Sequence, residues 1–262
     1  MFLGLDSSTQ SLTAVLIDPV SGEITCQLSV NFGGDLPHYQ SPSGFIPGGT
    51  DGEVHADPMM WIEALDLLLT RLAGKTDLSK VKMIAGSGQQ HGSVYLDSSF
   101  DSRLGTLDPS QNLVAQLSPA LTRSTSPIWM DTSTAAECAE ITTAMRGPEE
   151  ICRRSGSIAI ERFTGPQIRR FYQSDPDAYE RTSHIHLVSS FIGSVIAGWA
   201  AVLTALVVPM ALAPQGAVDL SLHNAYLPGT VAAVAVALIS RQTLAAILGG
   251  FVVYGLWRWL LV

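Results

Sequence analysis

Val81-Lys82-Met83-Ile84-Ala85-Gly86-Ser87-Gly88-Gln89-Gln90-His91-Gly92-Ser93-Val94-Tyr95-Leu96 is the stretch whose reading decides the fold. An apolar run enters it and another leaves, which argues for two strands. Between them Gly86, Gly88 and Gly92 let the backbone take positive φ or approach a ligand closely. Such a loop can present Gln89, Gln90 and His91 to a cleft. A glutamine side chain offers both donors and an acceptor, and a neutral imidazole one of each. That set suits a neutral, hydroxyl-rich ligand such as a sugar better than a phosphate or a metal. A Gly-rich hairpin with one polar turn histidine is the alternative that the residues alone leave open.

The chain has 262 residues, enough for one large domain or two small ones, and 47% of them are apolar. Its mean hydropathy of +0.26 is high for a water-soluble protein. The apolar excess is concentrated at the back. Leu187 to Val218 carries no charge, and beyond Gly198 the only charged residues are Asp219, Arg241 and Arg258. Since those three sum to +1 and the total is -8, the part up to Gly198 carries -9. An acidic front part repels phosphate backbones, so no nucleic acid is expected as a partner. Cys26, Cys138 and Cys152 are odd in number and lack metal-ligand spacing, which fits a reducing cytoplasm. Phe2 to Leu5 is too short an apolar run for a cleavable signal.

Phe2 to Leu5, Ser11 to Ile17 and Glu23 to Val30 read as a three-stranded antiparallel meander. Asp6-Ser7-Ser8-Thr9-Gln10 joins the first two. A carboxylate at a strand end followed by small hydroxyl residues can seat a metal-bound phosphate. Asp6 would hold hydrated Mg²⁺, and the amides and hydroxyls of the turn would meet phosphate oxygens. The same residues also make an ordinary turn.

Asn31 to Ala56, rich in Gly and Pro, is expected to run over the surface with His38 and His55 solvated. Asp57-Pro58 caps a helix whose Trp61, Leu65, Leu68 and Leu72 share one face until Gly74. A short helix is expected from Gln111 to Gln116. Pro127 to Met130 reads as a strand ending at Asp131, and Thr132 to Met145 as a helix capped by Asp131 or Thr132. Trp129 and Asp131 thus stand where open α/β sheets place ligand residues, or serve as a core tryptophan and a cap. Glu161 to Ile168 is a polar turn opening a helix at Pro166, with Arg162 poised to reach an oxyanion or hydroxyl. Asp177 to Arg181 reads as a charged link. Ile185 to Val188 is expected as a strand, followed from Ser189 to Gly198 by an apolar helix.

Five of these motifs, in this order, resemble the first domain of the FGGY carbohydrate kinases, and most closely the xylulokinase branch. They are Leu5-Asp6-Ser7-Ser8-Thr9-Gln10, Gly86 to Ser93, Pro127 to Thr134, Glu161-Arg162-Phe163-Thr164-Gly165, and Leu187 to Phe191. The resemblance covers residues 1-198. It implies an α/β, ribonuclease-H-like (actin-like ATPase) domain and transfer of the ATP γ-phosphoryl group to a ketopentose hydroxyl. It also implies that His91, Arg162 and Gln90 meet the sugar, while Asp6, Ser8 and Thr9 face ATP and Asp6 faces Mg²⁺. Phosphoryl transfer depends on positioning and charge stabilisation, with a carboxylate accepting the hydroxyl proton. The chain has neither Walker A nor a dinucleotide fingerprint.

Beyond Gly198 that resemblance stops, before the family's catalytic aspartate and its second, adenosine-holding domain. Three apolar blocks follow: Trp199 to Pro214, Thr230 to Ser240 and Leu244 to Val262. Joined to Ser189 to Gly198, the first exceeds the about 20 residues that a membrane span needs, and the last is near that length. Gly249-Gly250 suits close helix packing. Residues 199-262 resemble the C-terminal part of the AzlD family, small membrane proteins of branched-chain amino-acid export. The carrying residues are Ala201 to Pro214, Val218 to Leu222, Arg241-Gln242-Thr243 and Gly249-Gly250. The implied tail is all-α, hydrophobic and transmembrane, anchoring a cytoplasmic front domain. Asp219 belongs to this second resemblance and not to the missing kinase base. A front fragment of a sugar kinase thus stands joined to a back fragment of a transporter subunit, and the front alone is expected to be catalytically inactive.

Overall fold

A computed structural model describes residues 1-198, 224, 228-229, 231-233, 235-236 and 243-261. The chain divides into two compact units, Met1-Ala200 and Ala201-Val262.

The front unit is built on a four-stranded sheet, made of β1 (Phe2-Ser7), β2 (Ser11-Ile17), β3 (Ile24-Asn31) and β5 (Met83-Gly88), in the order β3-β2-β1-β5. β1 to β3 form the antiparallel meander, and β5 adds parallel to β1 with Asp6 opposite Ser87. Alternation sets the buried face: Leu3 and Leu5 on β1 and Leu12, Ala14 and Leu16 on β2 enter the core. α2 (Pro58-Ala73) covers this face across β2 and β3. Asp57 caps it through Met59 N, and Trp61, Leu65, Leu68 and Leu72 are all buried.

Asn31 to Ala56 departs from the expected surface excursion. It holds a one-turn helix, α1 (Phe32-Asp35), whose Phe32 is fully buried, and a short strand, β4 (His55-Ala56). Glycine and proline hide this because one aromatic anchor, without periodicity, is enough to tie such a loop down. His55 is not solvated either: its ring contacts Asp131 at 3.4 Å and Thr125 at 2.9 Å. His38 stays largely exposed and pairs with Glu63 at 3.0 Å.

The two strands of the central stretch do not form a hairpin. β5 belongs to the main sheet, whereas β6 (Ser93-Leu96) pairs antiparallel with β8 (His184-Leu187) in a sheet of its own. Between them run α3 (Ser99-Leu104), α4 (Leu113-Leu117, capped by Asn112), β7 (Ser126-Pro127), α5 (Ala135-Ala144), α6 (Pro148-Ser155), α7 (Thr164-Ser174) and α8 (Pro176-Arg181). The strand expected to reach Asp131 stops at Pro127, where it pairs with β4; Asp131 N then closes a turn on Ile128 O at 2.9 Å. α5 starts three residues later than expected, and Thr134 just before it donates its Oγ1 hydrogen to Glu161 O at 2.6 Å instead of capping. α7 opens at Thr164 instead of Pro166, and the charged link is helix α8, capped by Asp175.

α9 (Val188-Ala197) closes the front unit, placing Val188, Phe191, Ile192 and Val195 in its core and ending at Gly198 in the left-handed conformation. The apolar residues of Ser189 to Gly198 are thus used inside the front unit, while the rest of the span expected to run on from Ser189 lies outside the described residues. In the back unit α10 (Thr243-Leu261) packs closely through its glycines: a Cβ on Gly249 would sit 2.9 Å from Val236 and one on Gly250 2.9 Å from Ala233. The described part of the tail does not support the transmembrane expectation. Among the described residues no helix is long and apolar enough to cross a membrane, and the uncharged run of α10 ends at Arg258, short of about 20 residues. Residues 199-214 and most of 230-240 lie outside the described residues.

Candidate active site

A cleft of about 530 Å³ opens where β1 and β5 end, lined by Asp6, Ser8, Thr9, Gly88, Gln89, Gln90, His91, Trp129 and Arg162. The structure thus brings together the sugar-side candidates Gln90, His91 and Arg162 and the phosphate-side candidates Asp6, Ser8 and Thr9, with Trp129, from four separate segments. A second cleft, of about 520 Å³, contains none of them. Its aspartates, Asp57 and Asp175, are already spent on capping helices.

The parallel register places Asp6 beside Ser87, whose hydroxyl donates to Asp6 Oδ1. The turn after β1 is closed by Ser8, whose N–H and hydroxyl both donate to Ser11 O, at 2.9 and 3.0 Å. Ser8 therefore presents hydroxyl lone pairs and not free donors. Thr9 Oγ1 accepts from Trp129 Nε1 at 2.9 Å, which fixes the half-exposed indole across the cleft. Gly44, at φ +82°, backs this turn so closely that a Cβ would lie 1.8 Å from Thr9 O.

The loop after β5 is fastened by Gln89 N to Ser7 O at 2.7 Å and by Val188 N to Gly92 O at 3.2 Å. Its left-handed residue is His91, with φ 63°, and none of the three glycines. Gly88 and Gly92 are needed instead for close approach: a Cβ there would meet Ser189 N at 3.0 Å and Val188 Cγ2 at 2.8 Å. The His91 ring stacks 4.8 Å from Phe163. Burial, and then the neighbouring Arg162 charge, lower its pKa below the usual histidine value, so the imidazole is neutral at pH 7. Gln90 is exposed, while both amide atoms of Gln89 are buried without partners.

Asp131, the other residue at the strand end, does not line the cleft. It is fully buried and accepts from Val54 N (2.9 Å), Ser133 N (3.0 Å), Ser133 Oγ (2.7 Å) and Gln167 Nε2 (2.7 Å). Burial pushes its pKa up, but His55 and these hydrogen bonds outweigh that and hold it well below the carboxylate range. Phe163 and the Trp129–Thr9 bond are the site features that sequence reading missed, since both depend on contacts across the fold.

Asp6 is the one carboxylate lining the cleft, and among the described residues no group of three potential ligands assembles. That excludes an all-protein metal cage there. It fits Mg²⁺, which keeps its waters and takes one or two carboxylates together with phosphate oxygens.

Comparison with known proteins agrees with this geometry. The chain is 43% identical over 200 residues to xylulose kinase 2 of Arabidopsis thaliana, covering 76% of this chain and 36% of that protein. It is 43% identical over 196 residues to the xylulose kinase of Schizosaccharomyces pombe, covering 75% and 35%. The front part of the chain is xylulokinase-like. Among solved structures, the "xyloylose kinase" of Brucella ovis superposes with a TM-score of 0.56 at 21% identity, over 74% of this chain and 33% of that one, a likeness of fold. The match spans about a third of the length of these curated relatives. A second match lies at the back: the family model "Branched-chain amino acid transport protein (AzlD)" covers residues 184-258. Its first part overlaps β8 and α9, and there packing decides, since His186, Val188 and Phe191 are buried in the xylulokinase-like unit.

Proposed function

We propose that residues 1-198 form the sugar-binding half of a xylulokinase-like site, which orients a ketopentose such as D-xylulose for ATP-dependent phosphorylation. The convergence of His91, Gln90 and Arg162 with Asp6, Ser8 and Thr9 on one cleft carries this reading. A neutral His91 supplies one donor and one acceptor to sugar hydroxyls, Arg162 supplies donors only, and Gln90 supplies both kinds. The Trp129 indole offers an apolar face to the carbon edge of a sugar. Asp6 would hold hydrated Mg²⁺ at the phosphate side, with the Ser8 and Thr9 oxygens beside it. Bound there, Mg²⁺ neutralises phosphate charge. No carboxylate in the cleft is assigned as proton acceptor, and we assign the chain positioning without complete catalysis.

Calorimetric titration of the full chain with D-xylulose tests the reading. His91→Ala and Arg162→Ala each weaken binding by about 1-3 kcal/mol, as lost hydrogen bonds to a buried polar ligand do. Equal affinity in the wild type and both variants would refute the site.

The AzlD match favours a second reading, a chain that joins two families near Gly198. Detergent fractionation separates the two: complete recovery without detergent removes the transport reading and leaves the sugar site untouched.

A further inference from the structure

Arg162 reaches the cleft from a turn and not from a regular element. Residues 156-163 run without helix or strand between α6 and α7. The exposed Arg162 side chain makes no hydrogen bond or ion pair with the described residues, so the direction it takes is decided by its own backbone. The tie that sets that backbone is on Glu161 O, the carbonyl of the peptide group that contributes Arg162 N. It accepts from Thr134 Oγ1 at 2.6 Å and from Gln167 Nε2 at 3.2 Å. Two donors use both of its lone pairs. Among the described residues, the Thr134 bond is the one hydrogen bond that joins residues 156-163 to a segment distant in the chain.

Both donors are themselves held. Thr134 is fully buried and Gln167 is 1% exposed. Gln167 Nε2 also donates to Asp131 Oδ1 at 2.7 Å. Because Asp131 Oδ1 and Glu161 O can only accept, the amide must turn its NH₂ group to them. Arg170 Nη1 donates to Ser133 O at 3.2 Å and Nη2 to Glu53 Oε1 at 2.8 Å, which fastens α7 to the turn before α5. We propose that Thr134 is a positioning residue for Arg162, seconded by Gln167: by holding Glu161 O they preset the peptide before Arg162, so that the guanidinium meets a sugar hydroxyl from a turn already ordered. Ordering that turn on binding would otherwise cost affinity. This rests on the sugar-kinase reading above.

A double-mutant cycle read by calorimetric titration of the full chain with D-xylulose tests it. Thr134→Val is nearly isosteric and deletes the donor; it should weaken binding by about three- to tenfold, the range of one neutral hydrogen bond. Thr134→Ser, which keeps the hydroxyl, should stay within about twofold of the wild type. Beside Arg162→Ala the valine should add less than about twofold, and beside Gln90→Ala its full factor. Wild-type affinity in Thr134→Val, an undiminished loss beside Arg162→Ala, or a loss that shrinks equally beside Gln90→Ala overturns the proposal. If Thr134→Val fails to fold by circular dichroism, Gln167→Leu removes the second donor and enters the same cycle with the same criteria. Backbone order parameters of residues 160-163 give a reading that needs no sugar: they should fall in Thr134→Val and hold in Thr134→Ser. Order parameters unchanged in Thr134→Val overturn the proposal. A wild type that binds no xylulose while those order parameters still fall removes the sugar reading and leaves the hold on Arg162 standing.

Discussion

His186 lies in the front core, 1% exposed, with neither ring nitrogen hydrogen-bonded and Phe100 edge-on at 5.5 Å. Burial, and then His184, push its pKa down to about 4, while Asp101 acts the other way. Because the folded pKa is below the unfolded value of 6.5, the unfolded chain binds more protons in between. The stability tied to this group is complete above pH 6.5 and is lost as pH falls towards 4. Urea midpoints should therefore lose about 2 kcal/mol between pH 7.5 and pH 5, and His186→Leu should flatten that slope. Asp131 behaves oppositely in kind: its lowered pKa contributes stability above the usual carboxylate range that disappears only in stronger acid. Removing it strands His55, Ser133 and Gln167 without their shared acceptor. Asp131→Ala should cost about 3-5 kcal/mol in urea unfolding at pH 7, as the loss of a buried charged partner does. A cost under about 1 kcal/mol would show that the pairs are not formed.

At the scale of elements, Gly44 and Gly48 make a controlled comparison. Both hold left-handed backbone, φ +82° and +86°, but a Cβ on Gly44 strikes Thr9 O while one on Gly48 meets nothing within 4 Å. Gly48→Ala should cost about 1 kcal/mol, and Gly44→Ala about 3 kcal/mol or more together with a loosened Ser8-Thr9 turn. Similar melting temperatures for the two would mean that the turn is not braced by this loop. The meander and α2 were legible in sequence because alternation and a capped 3.6-residue repeat are local signals. The partner of β6 was not, since the Ser93–Leu187 pairing spans the whole middle of the front unit. The cleft residues were legible as motifs, but Phe32, Phe163 and the buried state of Asp131 depend on neighbours distant in the chain. The helix from Ser189 was legible but its surroundings were not, because hydrophobicity by itself does not distinguish a core helix from a membrane span.

At the scale of the molecule, a cleft with positioning groups stands on a region that matches about a third of the length of the curated relatives. Positioning contributes about 7-11 kcal/mol of barrier lowering, and a general base about 10²-10⁴-fold. A site assigned only part of the first and none of the second should give no sugar-dependent ADP release near the roughly 1-100 s⁻¹ of kinases. A coupled assay with xylulose checks this, and turnover in that range would overturn the assignment of positioning alone. The exposed strand β5, last in its sheet among the described residues, also matters outside catalysis. Chaperones and proteases sample exposed strand edges, and abundance in a cell follows what they find there. The half-life of this polypeptide in a pulse-chase experiment should thus be governed less by the stability of its core than by the exposure of Met83 to Ser87.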